Sequence, residues 1–124
     1  MRLATYGDTA KSWESIVEFY RGLAAGNPVF QDIADLARQL VASPFPAAGL
    51  CGLTSMHDLV LGPTRQVLDN PHLRVRPDFN NRQFTLAYQD GTLTPWSKTV
   101  PVSEGYSAIV RVLTRRARWY HEAV

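Results

Sequence analysis

Apolar and polar residues alternate within residues 72–77 and again within residues 83–89. A period of two places one set of side chains on each face of a pleated strand, so both stretches are predicted to be half-buried β-strands. Asp90-Gly91 follows the second stretch and is typical of a two-residue hairpin turn, because both residues accept positive φ. The pattern therefore predicts an antiparallel meander as the organising element of the chain.

The next strand is predicted over roughly 92–100, and its register decides where Trp96 lies. A two-residue loop at Asp90-Gly91 would pair Tyr88 with Leu93 and place Trp96 on the sheet face away from the core. Pro95 lacks an N–H group, so this strand should lie at a sheet edge or contain a bulge. A bulge would return Trp96 to the core face, and the sequence leaves both placements open.

Three stretches carry apolar residues at the spacing of an amphipathic helix, roughly 9–25, 28–42 and 104–122. The short link Gly26-Asn27-Pro28 predicts that the first two helices form an antiparallel hairpin. The predicted N-cap residues are Asp8 or Thr9, Asn27 and Ser103.

A further strand is predicted over roughly 53–61, where the sequence begins mixed and ends apolar. About four antiparallel strands and three helices predict an α+β fold of two layers, with the helices on one face of the sheet. A length of 124 residues predicts a single domain over 1–124.

The composition is that of an ordinary globular protein, with 45% hydrophobic and 19% charged residues, which excludes wholesale disorder. The start of the chain has no apolar signal region, and no run approaches the ~18 apolar residues of a membrane span, so no membrane partner is expected. Cys51 is the single cysteine and cannot form an internal disulfide. These features predict a cytoplasmic protein.

The net charge of +2 is unevenly distributed. Residues 1–50 carry four basic and five acidic side chains, whereas residues 51–124 carry nine basic and six acidic ones. This asymmetry is mild, and it permits an anionic partner without requiring one.

Ser55, His57 and Asp58 lie close together and suggest a hydrolase, but a strand would place Ser55 and His57 on one face and Asp58 on the other. The three histidines, which include His72 and His121, do not have the spacing of metal ligands, and no glycine-rich phosphate loop is present. No catalytic residue, metal or cofactor is therefore expected, and the chain is interpreted as more consistent with a non-enzyme.

The arginines of the last predicted helix are the most specific chemical feature. Arg111, Arg115 and Arg118 recur at i, i+4 and i+7, with Arg116 beside them, a spacing that suits phosphates or the carboxylates of a partner. A solvated helix face explains the same pattern, because cations are favoured near a helix C-terminus. Trp119 falls off the apolar stripe, which is typical of an interface anchor or of a residue that covers the core.

Arg74 and Arg76 share one face of a predicted strand. Without a bulge, Trp96 lies on that same face, which is open to solvent in a two-layer protein unless a partner covers it. An aromatic residue among arginines there would suit a protein partner or a homodimer.

The missing catalytic motifs and the two poorly placed tryptophans favour a non-catalytic interaction module that binds a protein partner or a second copy of itself. Nucleic-acid binding through the last helix is the first alternative, and a small enzyme or ligand-binding domain with a pocket between the helical hairpin and the sheet is the second. The order helix–helix–meander–helix is similar to that of small bacterial immunity and adaptor proteins, in architecture alone. The candidate partner-binding residues are Arg111, Arg115, Arg116, Arg118, Trp119, Trp96, Arg74 and Arg76.

Overall fold

The computed structural model describes residues 9–69, 71–91 and 95–121. Within these residues, three helices and a five-stranded antiparallel sheet form an α+β fold, which confirms the predicted class. The strands follow one another in the sheet in chain order. The helices are α1 (Trp13–Gly26), α2 (Gln31–Ala42) and α3 (Gly105–Arg111), and the strands are β1 (Cys51–Ser55), β2 (Asp58–Gly62), β3 (His72–Asp78), β4 (Gln83–Gln89) and β5 (Trp96–Pro101).

Helix α1 begins later than predicted. Its N-cap is Ser12, whose hydroxyl accepts a hydrogen bond from the Ser15 backbone N–H at 3.1 Å. Thr9 instead forms an isolated bridge with Gln66, and Lys11 forms one with Gly52 of β1, so this segment precedes the helix. Asp8, the other predicted cap, lies outside the described residues.

The start of the second helix is close to its prediction. The Asn27 side chain accepts a hydrogen bond from the Val29 N–H at 3.2 Å, and Pro28 opens a 3₁₀ turn, Pro28–Phe30, that leads directly into α2. Helices α1 and α2 pack against each other, as the short link between them predicted.

The predicted strand over 53–61 is wrong, because this segment is a hairpin of two strands. Ser55 pairs with Asp58, and Met56 and His57 form the turn, with Met56 at φ 55°. Neither residue belongs to the usual turn formers, so the local sequence gave no sign of the break. The sheet therefore has five strands where about four were expected.

The predicted register of the last strand is also wrong. Tyr88 pairs with Trp96 and Leu86 with Lys98, so the pairing is shifted by three residues from that of the two-residue hairpin. An odd shift transfers every side chain to the other face of the sheet. Trp96 therefore lies on the same face as Tyr88, toward the helices, without a bulge in the described ladder. Residues 92–94 of the predicted strand lie outside the described residues.

The main core fills the space between one sheet face and the three helices. Its largest fully buried side chains come from every layer: Ile16, Tyr20, Ile33, Leu36, Leu40, Leu59, Leu61, Leu73, Phe84, Leu86 and Ile109. A smaller cluster covers part of the opposite sheet face and consists of Ala10, Leu53, Val60 and Val67. Apolar burial on both faces explains why β2 is apolar at successive positions.

Gly105 brings α3 unusually close to the sheet. A Cβ atom at this position would lie 2.6 Å from Cδ2 of Phe84 on β4, which is shorter than any ordinary contact. A side chain of any size would force α3 away from β4. This close approach places the rest of α3 beside the edge strand β5.

Helix α3 is shorter than the predicted 104–122. The α-helix ends at Arg111 and continues as a π turn over Val112–Arg116, and Arg118 then takes φ 56°. Ser103 is not its cap, because a 3₁₀ turn, Val102–Glu104, leads into the helix without a side-chain cap.

Candidate functional site

A groove lies between the edge strand β5 and the segment formed by α3 and its π turn. It has a volume of about 250 Å³. Four of its lining side chains are cationic and no carboxylate lines it among the described residues. We name this surface the cationic groove, and its lining residues are Trp96, Lys98, Ala108, Arg111, Val112, Arg115 and Arg116.

The register of β5 supplies one wall of the cationic groove. Alternate residues of a strand point to one face. Because Trp96 pairs with Tyr88 and Lys98 with Leu86, both side chains point to the helix side of the sheet. Lys98 is exposed and Trp96 is half-buried, so the strand contributes a charge and an aromatic ring.

The π turn supplies the other wall. In an α-helix, residues four apart are neighbours, whereas the i→i+5 bonds of a π turn align residues five apart. The bond from the Ala117 N–H to the Val112 carbonyl, at 2.8 Å, has this spacing. Arg116 is thereby brought to the same side as Arg111, and both line the groove. Arg118 lies beyond the turn and does not line it, so the predicted i, i+4, i+7 alignment is wrong at its last member.

Arg116 is held against Trp96. Its guanidinium carbon lies 4.5 Å from the centroid of the indole ring, a cation–π contact. A guanidinium stacked on a ring keeps its N–H donors in its own plane, where they can bind a carboxylate bidentately. The pair therefore presents a positioned anion-binding group in the lining of the groove.

Lys98 and Arg111 form no ion pair with a carboxylate among the described residues. Five arginines elsewhere in the fold are paired with carboxylates of the chain. These pairs are Arg21 with Glu18, Arg38 with Asp35, Arg82 with Asp32, and both Arg74 and Arg76 with Asp58.

Trp119 does not line the groove and contacts Tyr88, the strand partner of Trp96. Its ring packs edge-on against Tyr88, with the centroids 5.9 Å apart, and it is half-buried at the margin of the core. Burial raises the pKa of the Tyr88 hydroxyl and the charge of Asp90 adds to the rise, while a hydrogen bond with Trp119 and the charge of Arg116 oppose it. Of the two readings of Trp119, the structure matches the one in which it covers the core.

Arg74 and Arg76 lie on the other face of the sheet and do not join the groove. Both donate to Oδ2 of Asp58, at 2.9 and 3.2 Å, and that carboxylate is almost fully buried. Of the two placements that the sequence leaves open for Trp96, the structure has the one on the helix side, away from Arg74 and Arg76, because the register of β5 pairs Trp96 with Tyr88. The predicted partner-binding residues thus divide between two surfaces.

Sequence reasoning did not select Lys98 as a site residue. Its contribution depends on the side to which β5 turns it, and that side follows from the length of the β4–β5 connection. The one available signal was the position of Pro95 and Pro101, which bracket the strand and limit where it can pair.

Two members of the group that suggested a hydrolase, His57 and Asp58, make structural contacts. His57 lies in the β1–β2 turn, where its backbone carbonyl accepts the Tyr20 hydroxyl at 3.0 Å and its ring packs on Phe30. Asp58 is engaged by two arginines. Ser55 is the last residue of β1, whereas His57 lies in the turn, so the two do not share a strand face as predicted. The described residues hold no group of three or more histidine, cysteine, aspartate or glutamate side chains suited to a metal ion.

Comparison with protein-family models, with curated proteins and with solved structures finds no match to this chain. In the part of the chain that the structure describes, no helix is both long enough and apolar enough to span a lipid bilayer.

Proposed function

We propose that the protein is a non-catalytic interaction module whose cationic groove binds an acidic segment of a partner protein. The observation that carries this proposal is the convergence of Lys98, Arg111, Arg115 and Arg116 around one groove. Among the described residues, no carboxylate lies at ion-pair distance from Lys98 or Arg111. Like charges gathered in one place repel each other, and an anionic partner relieves that repulsion.

The side chains of the groove favour binding of carboxylates over stacking of nucleic-acid bases. Binding of single-stranded nucleic acid without sequence preference relies on exposed aromatic rings on which bases stack. Trp96 is half-buried and its ring is in contact with the Arg116 guanidinium. The groove therefore offers bidentate donors and point charges, which suit the carboxylates of aspartate and glutamate.

A second copy of the chain is a poorer occupant of this surface. A two-fold dimer brings the same patch of each subunit together. At this groove such a dimer would oppose Lys98 to Lys98 and guanidinium to guanidinium, which costs energy without a bridging anion. We therefore propose that the partner is a different, acidic chain. We also propose a cytoplasmic location, because Cys51 has no cysteine partner within the chain.

The test measures the fluorescence anisotropy of a short dye-labelled peptide of alternating threonine and glutamate as the protein is added. The double variant Lys98→Gln/Arg111→Gln should weaken binding about tenfold, because each exposed charged contact contributes up to roughly 1 kcal/mol. The matched control is Arg21→Gln/Arg38→Gln, which lowers the net charge of +2 by the same two units at arginines already paired. It should leave the affinity nearly unchanged.

Three results would contradict the proposal. Equal loss of affinity in both double variants would show that only net charge matters. If the glutamate peptide bound no more tightly than a glutamine peptide of the same length, an acidic partner would be excluded. Tighter binding of a single-stranded oligothymidine, lost in the groove variant and steeply weakened by salt, would replace the protein partner with nucleic acid.

A further inference from the structure

The outer edge of β5 is the second notable feature beside the cationic groove. At the opposite side of the sheet, Lys11 bridges to Gly52 of β1, so that edge is partly covered by the chain itself. Strand β5 is the last strand of the sheet, and its only strand partner among the described residues is β4. An uncovered edge presents unpaired N–H and C=O groups that can pair with another chain.

Backbone geometry identifies the groups that face outward. The Val102 N–H donates to the Arg82 carbonyl at 3.1 Å, just beyond the pair of Gln83 with Pro101. Backbone groups alternate in direction along an antiparallel strand, so Lys98 and Val100 also point theirs toward β4. Ser97 and Thr99 therefore direct their N–H and C=O groups to the outer edge.

The side chains also indicate that Thr99 directs its backbone groups to the outer edge. The hydroxyl oxygens of Thr85 and Thr99 lie 3.1 Å apart across the β4–β5 ladder. Such a close approach is typical of a pair that does not exchange backbone hydrogen bonds, in which the opposed side chains are nearest. The backbone groups of Thr99 are thus available on the outer side.

A strand added at this edge would send alternate side chains into the cationic groove. Side chains two residues apart in a strand lie roughly 6.8 Å apart on the same face. Trp96 and Lys98 point to the helix side and line the groove together with Arg111. Every second side chain of an added strand would point to the same side. Pro95 precedes β5 and Pro101 ends it, which confines the added strand to the six residues of β5.

We infer that the partner segment binds by strand addition: a short extended peptide with acidic residues at every second position pairs with the outer edge of β5 through Ser97 and Thr99. This inference rests on the proposed function and specifies its mode. Main-chain hydrogen bonds supply the docking, and the alternation of acidic side chains supplies the selectivity, because only one face of the added strand meets the cations.

Amide hydrogen exchange of the wild-type protein, followed by NMR, is the first test. Without peptide, the Ser97 and Thr99 amides should exchange fast, while those of Lys98 and Val100 are protected by the ladder to β4. A saturating amount of the peptide of alternating threonine and glutamate should slow exchange at Ser97 and Thr99 by at least about tenfold. Unchanged exchange at both amides, with the peptide bound, would overturn strand addition and leave the proposed function standing.

The second test uses a single substitution at the edge. Thr99→Pro removes the outward N–H without removing a hydrogen bond to β4, and it should weaken the peptide at least about tenfold. Thr99→Val keeps the N–H, loses the hydroxyl contact with Thr85, and should bind as the wild type does. Ser97→Pro provides the same test at the other outward N–H if Thr99→Pro lowers the thermal stability.

A control peptide separates strand addition from simple charge attraction. A peptide of the same composition, with its glutamates grouped in one block, carries the same charge but divides it between the two faces of a strand. It should bind several-fold more weakly than the alternating peptide. Equal affinity of the two peptides, together with normal binding by Thr99→Pro, would refute the inference.

Discussion

Gly105→Ala tests whether the close approach of α3 to the sheet is required by the fold. A Cβ at this position would lie 2.6 Å from Cδ2 and 2.8 Å from Cε2 of Phe84. Phe84 is 1% exposed and its ring is rigid, so it has little room to move away. The substitution therefore overpacks the core at the first residue of the helix.

Two effects of opposite sign decide the magnitude. Replacing glycine by alanine in a helix stabilises by roughly 0.5–1 kcal/mol, because the unfolded chain loses conformational freedom. Inserting a methyl group into a filled core costs about 1–3 kcal/mol. The second effect should prevail, and we expect Gly105→Ala to lower the free energy of unfolding by about 1–2 kcal/mol and the Tm by roughly 5 °C.

Urea denaturation followed by circular dichroism measures this difference, with Gly22→Ala as the matched control. Gly22 lies in α1, and a Cβ there would meet nothing within 4 Å, so the control should be stabilised by roughly 0.5–1 kcal/mol. Phe84→Leu should relieve the clash, giving a favourable coupling of about 1 kcal/mol in a double-mutant cycle with Gly105→Ala. Stabilisation of both alanine variants, or strict additivity in the cycle, would refute the reasoning.

Three further substitutions probe other parts of the structure. Asp58→Asn keeps the side-chain volume and removes the charge shared by two arginines. The free energy of unfolding measured in urea should fall by about 1–2 kcal/mol. An unchanged value would show that these ion pairs do not stabilise the fold. Burial raises the pKa of the Tyr20 hydroxyl, so its contribution to stability is present below the unfolded pKa of about 10 and is lost as the pH rises above it. Tyr20→Phe should therefore flatten the alkaline loss of stability measured in urea titrations at several pH values. A loss as steep as that of the wild type would contradict this explanation. Trp119→Ala should cost about 2 kcal/mol in thermal melts because its half-buried ring packs on Tyr88, and an unaltered Tm would instead favour a role at an interface.

Residue periodicity alone was enough to identify the elements whose burial pattern is local. Helices α1 and α2 and strands β3 and β4 each show one apolar face, and each was predicted within a few residues of its observed bounds. The Asn27-Pro28 start was also predictable, because a cap is a contact between near neighbours in the chain. The α+β class follows from the number and order of such elements.

The candidate site depends on features that the local sequence does not encode. The Met56-His57 turn has no usual turn former, and its position is decided by pairing of the two flanking strands and by the Tyr20 hydrogen bond to the turn. Likewise, the Asp90-Gly91 pair predicted a tight hairpin, but the observed register is the one that turns Trp96 and Val100 toward the helices. A register is a long-range choice, since a shift of one or three residues keeps the alternation within each strand and exchanges the two faces.

The cationic groove is therefore a product of tertiary structure built from residues that the sequence had already made conspicuous. The sequence alone determined that several arginines lie close together near the end of the chain. Only the folded structure decided which of them converge, because the π turn brings Arg116 to the side of Arg111 and the register of β5 adds Lys98 from the facing strand. The π turn and the register of β5 both depend on packing against the core. Burial of apolar side chains there outweighs the modest local preferences of a turn or a helix end.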